Sequence, residues 1–202
     1  MPPYDIIIYG DKMITMRNII VDGHPNLLKV SKPVKLPLSF SDKRLARDLH
    51  EFVVNSQDPK IADKYNLRAA VGIAAPQINI LKRMFAVHFN FMGEMYSYVV
   101  INPVITYKSE ELIYLPGGEG CLSVDYETEG LTPRAKEIEI EFLDFDPKTN
   151  QAKPNKLRLS GYPAIVFQHE FDHLEGILFV SKLFDKLENA SPAFEVVHDE
   201  DL

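Results

Sequence analysis

The stretch GYPAIVFQHEFDHLEG, residues 161–176, carries more structural information than any other part of the chain. Gly161 and Pro163 are start signals for a helix and Gly176 is a stop signal, so the segment predicts a single helix between them. Ile165, Val166, Phe167, Phe171 and Leu174 leave little of its surface polar, as expected of a largely buried helix. His169 and His173 lie four residues apart, so their imidazoles project from one face, one above the other. Two nitrogens spaced this way can grip one divalent cation. Taken alone, two histidines at helical spacing are more often a polar face or an accidental pair. Here the apolar flanks decide, because buried ionisable groups are costly unless paired or bound to metal. Glu170 follows the first histidine and can reach water on the ion without ligating it, the division of labour in an HExxH signature.

A catalytic metal site needs a third protein ligand and an open position for water. Downstream, Glu175 is too near on the same helix, and Glu188, Glu195 and His198 fall in an irregular tail. Upstream stands Cys121, in Gly117-Gly-Glu-Gly-Cys-Leu-Ser123. A thiolate is a strong ligand for a borderline-soft metal. The glycines around it let backbone approach closely and leave peptide N–H groups free. The same glycines could suggest a phosphate loop, but the following Lys-Ser/Thr is missing. A nucleophilic Cys121 with His169 as base would leave His173 and Glu170 without a role.

The remaining sequence sets the frame. The chain has 202 residues, 46% hydrophobic and 25% charged, which suits one globular domain spanning 1–202. A single cysteine excludes an internal disulfide and fits a reducing compartment. No apolar run reaches the roughly 18 residues needed to span a bilayer, and the N-terminus lacks a signal-peptide pattern. A cytoplasmic location is therefore expected. The net charge of −7 weighs weakly against a broad grip on nucleic acid. Part of it comes from Glu195, Asp199, Glu200 and Asp201, in an acidic tail (185–202) expected to be solvated.

Prolines break residues 1–40 into an expected extended arm. A helix is predicted over 41–56, with Ser41 as N-cap and Leu45, Leu49, Phe52 and Val53 at helical spacing. Residues 56–66 read as a polar connection. Strands are predicted at 83–90, 96–102, 137–145 and 155–160, the third alternating Ile138, Ile140 and Phe142 with Glu137, Glu139 and Glu141. The expected class is α+β, with short antiparallel sheets packed around a central metal-binding helix.

HEFDH at 169–173, EGCLS at 119–123 and Val71-Gly-Ile-Ala-Ala-Pro-Gln77 together resemble the three signature motifs of the peptide deformylase family, in the family's order. The long arm and the added residues around 56–68 are similar to the subgroup typical of Gram-positive bacteria. The resemblance implies that Cys121, His169 and His173 bind the metal and that Glu170 is general base and then acid. It implies an oxyanion site from the Gln77 amide and the Leu122 N–H. Val71 and Gly120 would offer backbone hydrogen bonds to an extended peptide, and Gly72 would let that strand lie close. Ile165 and Val166 are nominated as lining of an apolar methionine pocket, although each could equally be ordinary core.

The family usually has Gly where this chain has Ala70, which questions the local backbone there. The implied substrate is the N-formylmethionyl end of nascent polypeptides, met near the ribosome, with no DNA or membrane partner. Fe(II) is the implied ion, and Ni(II), Co(II) or Zn(II) also suit a thiolate with two imidazoles. An HExxH-type metalloprotease and a closed structural metal module are the rival readings.

Overall fold

The structure is a computed structural model that describes residues 13–194. Helix α1 spans Phe40–Ser56, α2 Pro59–Tyr65, strand β1 Gly72–Ala74, β2 Met84–Phe91, β3 Glu94–Lys108 and β4 Leu112–Tyr114. β5 (Arg134–Ala135), β6 (Glu137–Asp146), β7 (Gln151–Ser160), helix α3 (Tyr162–Leu174) and β8 (Ala190–Pro192) complete the order. β1, β2, β3, β6 and β7 form one antiparallel sheet in the order β1-β2-β3-β6-β7. β5, β4 and β8 form a second sheet, in which β4 and β8 run parallel. The expected α+β class is what the chain adopts.

Strand alternation explains why the larger sheet is covered on both faces. In β2, Met84 and Ala86 join a core cluster with Leu45, Leu49, Phe52 and Val53 of α1. Phe85, Val87 and Phe89 point the other way, into a cluster with Ala164, Val166, Phe167 and Leu174 of α3. A strand buried on both faces reads as a continuous apolar run, as MFAV at 84–87 does. α3 packs against β1, β2, β5, β7 and the short 3-10 turn Ala75–Ile78, so it is central. Its own backbone ends where Gly176 takes φ +71°, against the Leu28 backbone at a distance no Cβ would tolerate.

The N-terminal arm is more than a wrapping. Its residues 1–12 lie outside those described. Further on, the Ile20 N–H donates to the Gln77 carbonyl at 2.8 Å, and the Asp22 N–H to the Ser123 carbonyl at 2.8 Å. The arm thereby ties together two segments that carry candidate site residues. Asn102, with φ +52° at an irregularity in β3, pins the arm again: its side chain accepts from Val34 N–H and donates to Val34 C=O.

Several expectations need correction. The cap of α1 is Ser39 rather than Ser41, in a reciprocal capping box with Asp42. Residues 59–65, expected as connection, form α2; Asp58 caps it and Pro59 occupies its first turn, a start signal that few apolar residues reinforce. β4, β5 and β8 were not anticipated, because strands of two or three residues carry too few alternations to register. β8 falls within the expected tail; Glu195, Asp199, Glu200 and Asp201 lie outside the described residues. No helix among the described residues is long and apolar enough to cross a membrane.

Phe52 is fully buried between α1 and the sheet. Phe52→Ala is expected to destabilise the chain by about 3–5 kcal/mol, read as a lowered urea midpoint. A loss below about 0.5 kcal/mol, the range of an ordinary surface substitution, would contradict this packing.

Candidate metal centre

α3 delivers His169 and His173 on one face, their rings edge to face with centroids 5.0 Å apart. The loop between β4 and β5 brings Cys121 to them, with Sγ 3.3 Å from His173 Nε2. The donor atoms of Cys121, His169 and His173 all lie within 4.8 Å of one another, the one group of three such residues so placed among those described. A tetrahedral ion with metal–sulfur bonds of about 2.3 Å and metal–nitrogen bonds of about 2.0–2.1 Å sets its donors roughly 3.3–3.6 Å apart. The trio therefore fits a cation with little rearrangement, and its sulfur-and-nitrogen chemistry suits a borderline-soft one.

The electrostatics favour the ligating form of the sulfur but oppose that of the His169 ring, whose extra proton a cation must displace. Burial works against a charged Cys121, yet His173 and His169 hold its proton affinity well below that of an ordinary thiol. Burial likewise opposes charge on His169, while Cys121 and Glu119 hold it well above an ordinary imidazole. Both histidines thus act in favour of the thiolate, the ligating form of the sulfur.

His169 Nδ1 lies 2.7 Å from Glu119 Oε2, which turns the other ring nitrogen toward the trio. Glu119 in turn accepts two hydrogen bonds from Arg134, at 2.7 and 2.8 Å. Arg134 also donates to Asp172 of α3, and Asp172 accepts from Lys182 at 2.8 Å. Although burial raises it, Arg134 and His169 bring the Glu119 carboxyl down to about 2, so Glu119 meets them as a carboxylate. Sequence reasoning assigned no role to Glu119, Arg134 or Asp172. Glu119 and Asp172 sit inside the quoted motifs, two residues before Cys121 and one before His173. Arg134 offered no local signal.

Glu170 packs against β1. A Cβ at Gly72 would stand 2.5 Å from Glu170 Oε1 and 2.8 Å from its carboxyl carbon. Glycine at 72 thus leaves the carboxylate its place. Glu170 Oε2 is buried with no hydrogen-bond partner, as is His173 Nδ1. Burial pushes the Glu170 carboxyl up to about 7, against the pull of His169 and His173. A cation held beside it would add to that pull.

The other nominated residues converge as well. Gln77, in the turn after β1, anchors its Oε1 on the Ala74 N–H and directs Nε2 to Cys121 Sγ and Ser123 Oγ, both at 3.3 Å. Gln77 itself is buried. A cavity of about 400 Å³ opens over the trio, lined by Val71, Gly72, Gln77, Gly120, Cys121, Leu122, Ile165, Val166, His169 and Glu170. Leu115, Tyr162 and Arg68 also line it and were not anticipated. His173, the third member of the trio, lies outside this lining. Ala70 has no positive φ, so its departure from glycine introduces no backbone strain.

The polypeptide deformylase family profile matches residues 16–189. The chain is 49% identical over 186 residues to the peptide deformylase of Oceanobacillus iheyensis, covering 89% of this chain and 99% of that one. It is 48% identical over 181 residues to peptide deformylase 2 of Bacillus subtilis, covering 89% and 94%. Among solved structures, the actinonin-bound class I type b peptide deformylase from Acinetobacter baumannii superposes with a TM-score of 0.64 at 30% identity, covering 86% of this chain and 100% of that one. The same enzyme with Met-Ala-Ser bound gives 0.63 at 31% identity, covering 82% and 96%. Similarity of this depth, running through nearly all of the described fold, has one meaning: the chain belongs to the polypeptide deformylase family.

Proposed function

We propose that the protein removes the formyl group from the N-terminal formyl-methionine of new polypeptides, converting the formamide and water to formate and a free amine. The observation that carries this reading is the placement of Glu170. Its unpartnered, buried carboxylate oxygen stands beside the Cys121–His169–His173 trio at the cavity that Ile165 and Val166 line.

Cys121, His169 and His173 would hold the ion, which in the cell is Fe(II), with Ni(II), Co(II) and Zn(II) as substitutes. When bound, it supplies Lewis acidity that polarises a carbonyl oxygen and lowers the pKa of water from 15.7 toward about 7. Glu170 takes the proton of the attacking water and hands it to the departing amine nitrogen. Its carboxylate oxygen without a hydrogen-bond partner is free for that double duty. The Gln77 amide and the Leu122 N–H donate to the oxygen that gains charge as the formyl carbon becomes tetrahedral. One such donor typically contributes about 2.7–4 kcal/mol to lowering the barrier.

β1 is the edge strand of its sheet, so an extended peptide can lie along it, bonded to the backbone of Val71 and Gly120. The methionine side chain would enter the apolar pocket of Ile165 and Val166, with Tyr162 and Leu115 beside them. We place the whole chain, as one domain, in the cytoplasm, acting on polypeptides as they leave the ribosome and without DNA or membrane partners.

Formate release from formyl-Met-Ala-Ser by nickel-loaded protein tests the reading. Glu170→Gln is expected to keep its nickel while turnover falls about 10²–10⁴-fold. Undiminished turnover would remove Glu170 from the mechanism, and absence of formate release by the unaltered chain would end the proposal.

Gly72→Ala offers a second test, since the added methyl must displace the Glu170 carboxyl. Displacement by an ångström typically costs about 10²-fold in rate, so kcat should fall by about that factor with bound nickel unchanged. Full activity in Gly72→Ala would show that Glu170 need not stand where it does.

A further inference from the structure

A second pair of histidines meets at the α1 face of the large sheet, away from the cavity. His50 comes from α1 and His88 from β2, directly opposite Ser97 of β3 in the strand register. His88 shares the parity of Met84 and Ala86, the residues that β2 turns toward α1. His50 Nε2 and His88 Nδ1 each lie 3.0 Å from the one Ser97 hydroxyl. Their rings meet edge to face, with centroids 6.0 Å apart and planes at 77°. His169 and His173 show the same arrangement, at 5.0 Å and 79°.

A hydroxyl carries a single proton, so it can donate to one of these nitrogens and must accept from the other. That oxygen is the single atom on which both imidazoles converge. We propose that His50 and His88, with the Ser97 hydroxyl between them, form a second site for a divalent first-row transition-metal ion, open to solvent and weaker than the cysteine-bearing one. Imidazole nitrogen is a suitable ligand for such ions, and the lack of a thiolate accounts for the lower affinity. Bonds of about 2.0–2.2 Å in a tetrahedral site put nitrogen and oxygen donors roughly 3.3–3.5 Å apart, so each 3.0 Å contact of the half-buried rings need only lengthen slightly, a side-chain adjustment.

The surroundings favour the neutral, ligating form of both rings. Burial, and then the neighbouring His88, lower the proton affinity of His50; burial lowers that of His88. Of the other charged groups acting on His50, Asp146 favours a cation and Lys148 opposes one. An ion held here joins α1 to β2 and β3. The His88 N–H donates to the Val71 carbonyl at 2.9 Å, so the clamp would stand one hydrogen bond behind the edge strand of the cavity.

Equilibrium dialysis against Co(II) tests the proposal and separates the two sites, because only a thiolate-bearing site gives a sulfur-to-cobalt charge-transfer band. His50→Ala and His88→Ala are each expected to hold one equivalent of cobalt fewer than the unaltered chain, with the band at full intensity. The proposal falls if either variant holds as many equivalents as the unaltered chain, or if the lost equivalent is the one that carries the band. A chain with no such band would instead contradict the proposed role of Cys121, leaving the histidine pair to be judged by the equivalents alone.

Discussion

The Glu119 carboxylate joins the two halves of the centre: it is shared between the His169 ring and the Arg134 guanidinium. Cys121 rides on a glycine-rich loop and the two histidines on a helix, and nothing covalent relates one to the other. Glu119, two residues from Cys121, meets α3 at His169, while Arg134 meets it again at Asp172. Burying these charges is costly, and a buried ion pair is weak evidence for net stability. What the network supplies is position. It fixes the loop against one turn of α3 and sets which nitrogen of His169 faces the sulfur.

A second constraint acts from the opposite side. The edge strand β1 approaches α3 so closely that the Glu170 carboxylate fills the space a side chain at 72 would have taken. The N-terminal arm then holds the turn after β1 and the cysteine loop in a common register, through Ile20 to Gln77 and Asp22 to Ser123. The donors, the carboxylate and the Gln77 amide are thus each positioned by a different element. An active centre assembled this way should be sensitive to changes several residues from the ion.

The long periodic segments and the motif-bearing ones were legible in the sequence. The α3 boundaries follow from Gly161, Pro163 and Gly176, and β6 from its strict alternation of isoleucine and glutamate. The convergence of Cys121 on His169 and His173 could be inferred from ligand chemistry and from the family resemblance. Elements held mainly by tertiary contacts could not be read. β4, β5 and β8 are too short for a period, and α2 shows its cap and proline but little apolar face. The Glu119–Arg134–Asp172 network escaped because its members lie up to 53 positions apart and no local pattern links an arginine to a distant pair of carboxylates. Gly72 was singled out, but its closeness to Glu170 exists only in three dimensions.

X-ray absorption at the zinc edge of zinc-loaded protein tests the centre most directly. The account expects one sulfur at about 2.3 Å, two imidazole nitrogens at about 2.0–2.1 Å and one exchangeable oxygen. A first shell without sulfur, or one closed by a fourth protein ligand, would contradict it.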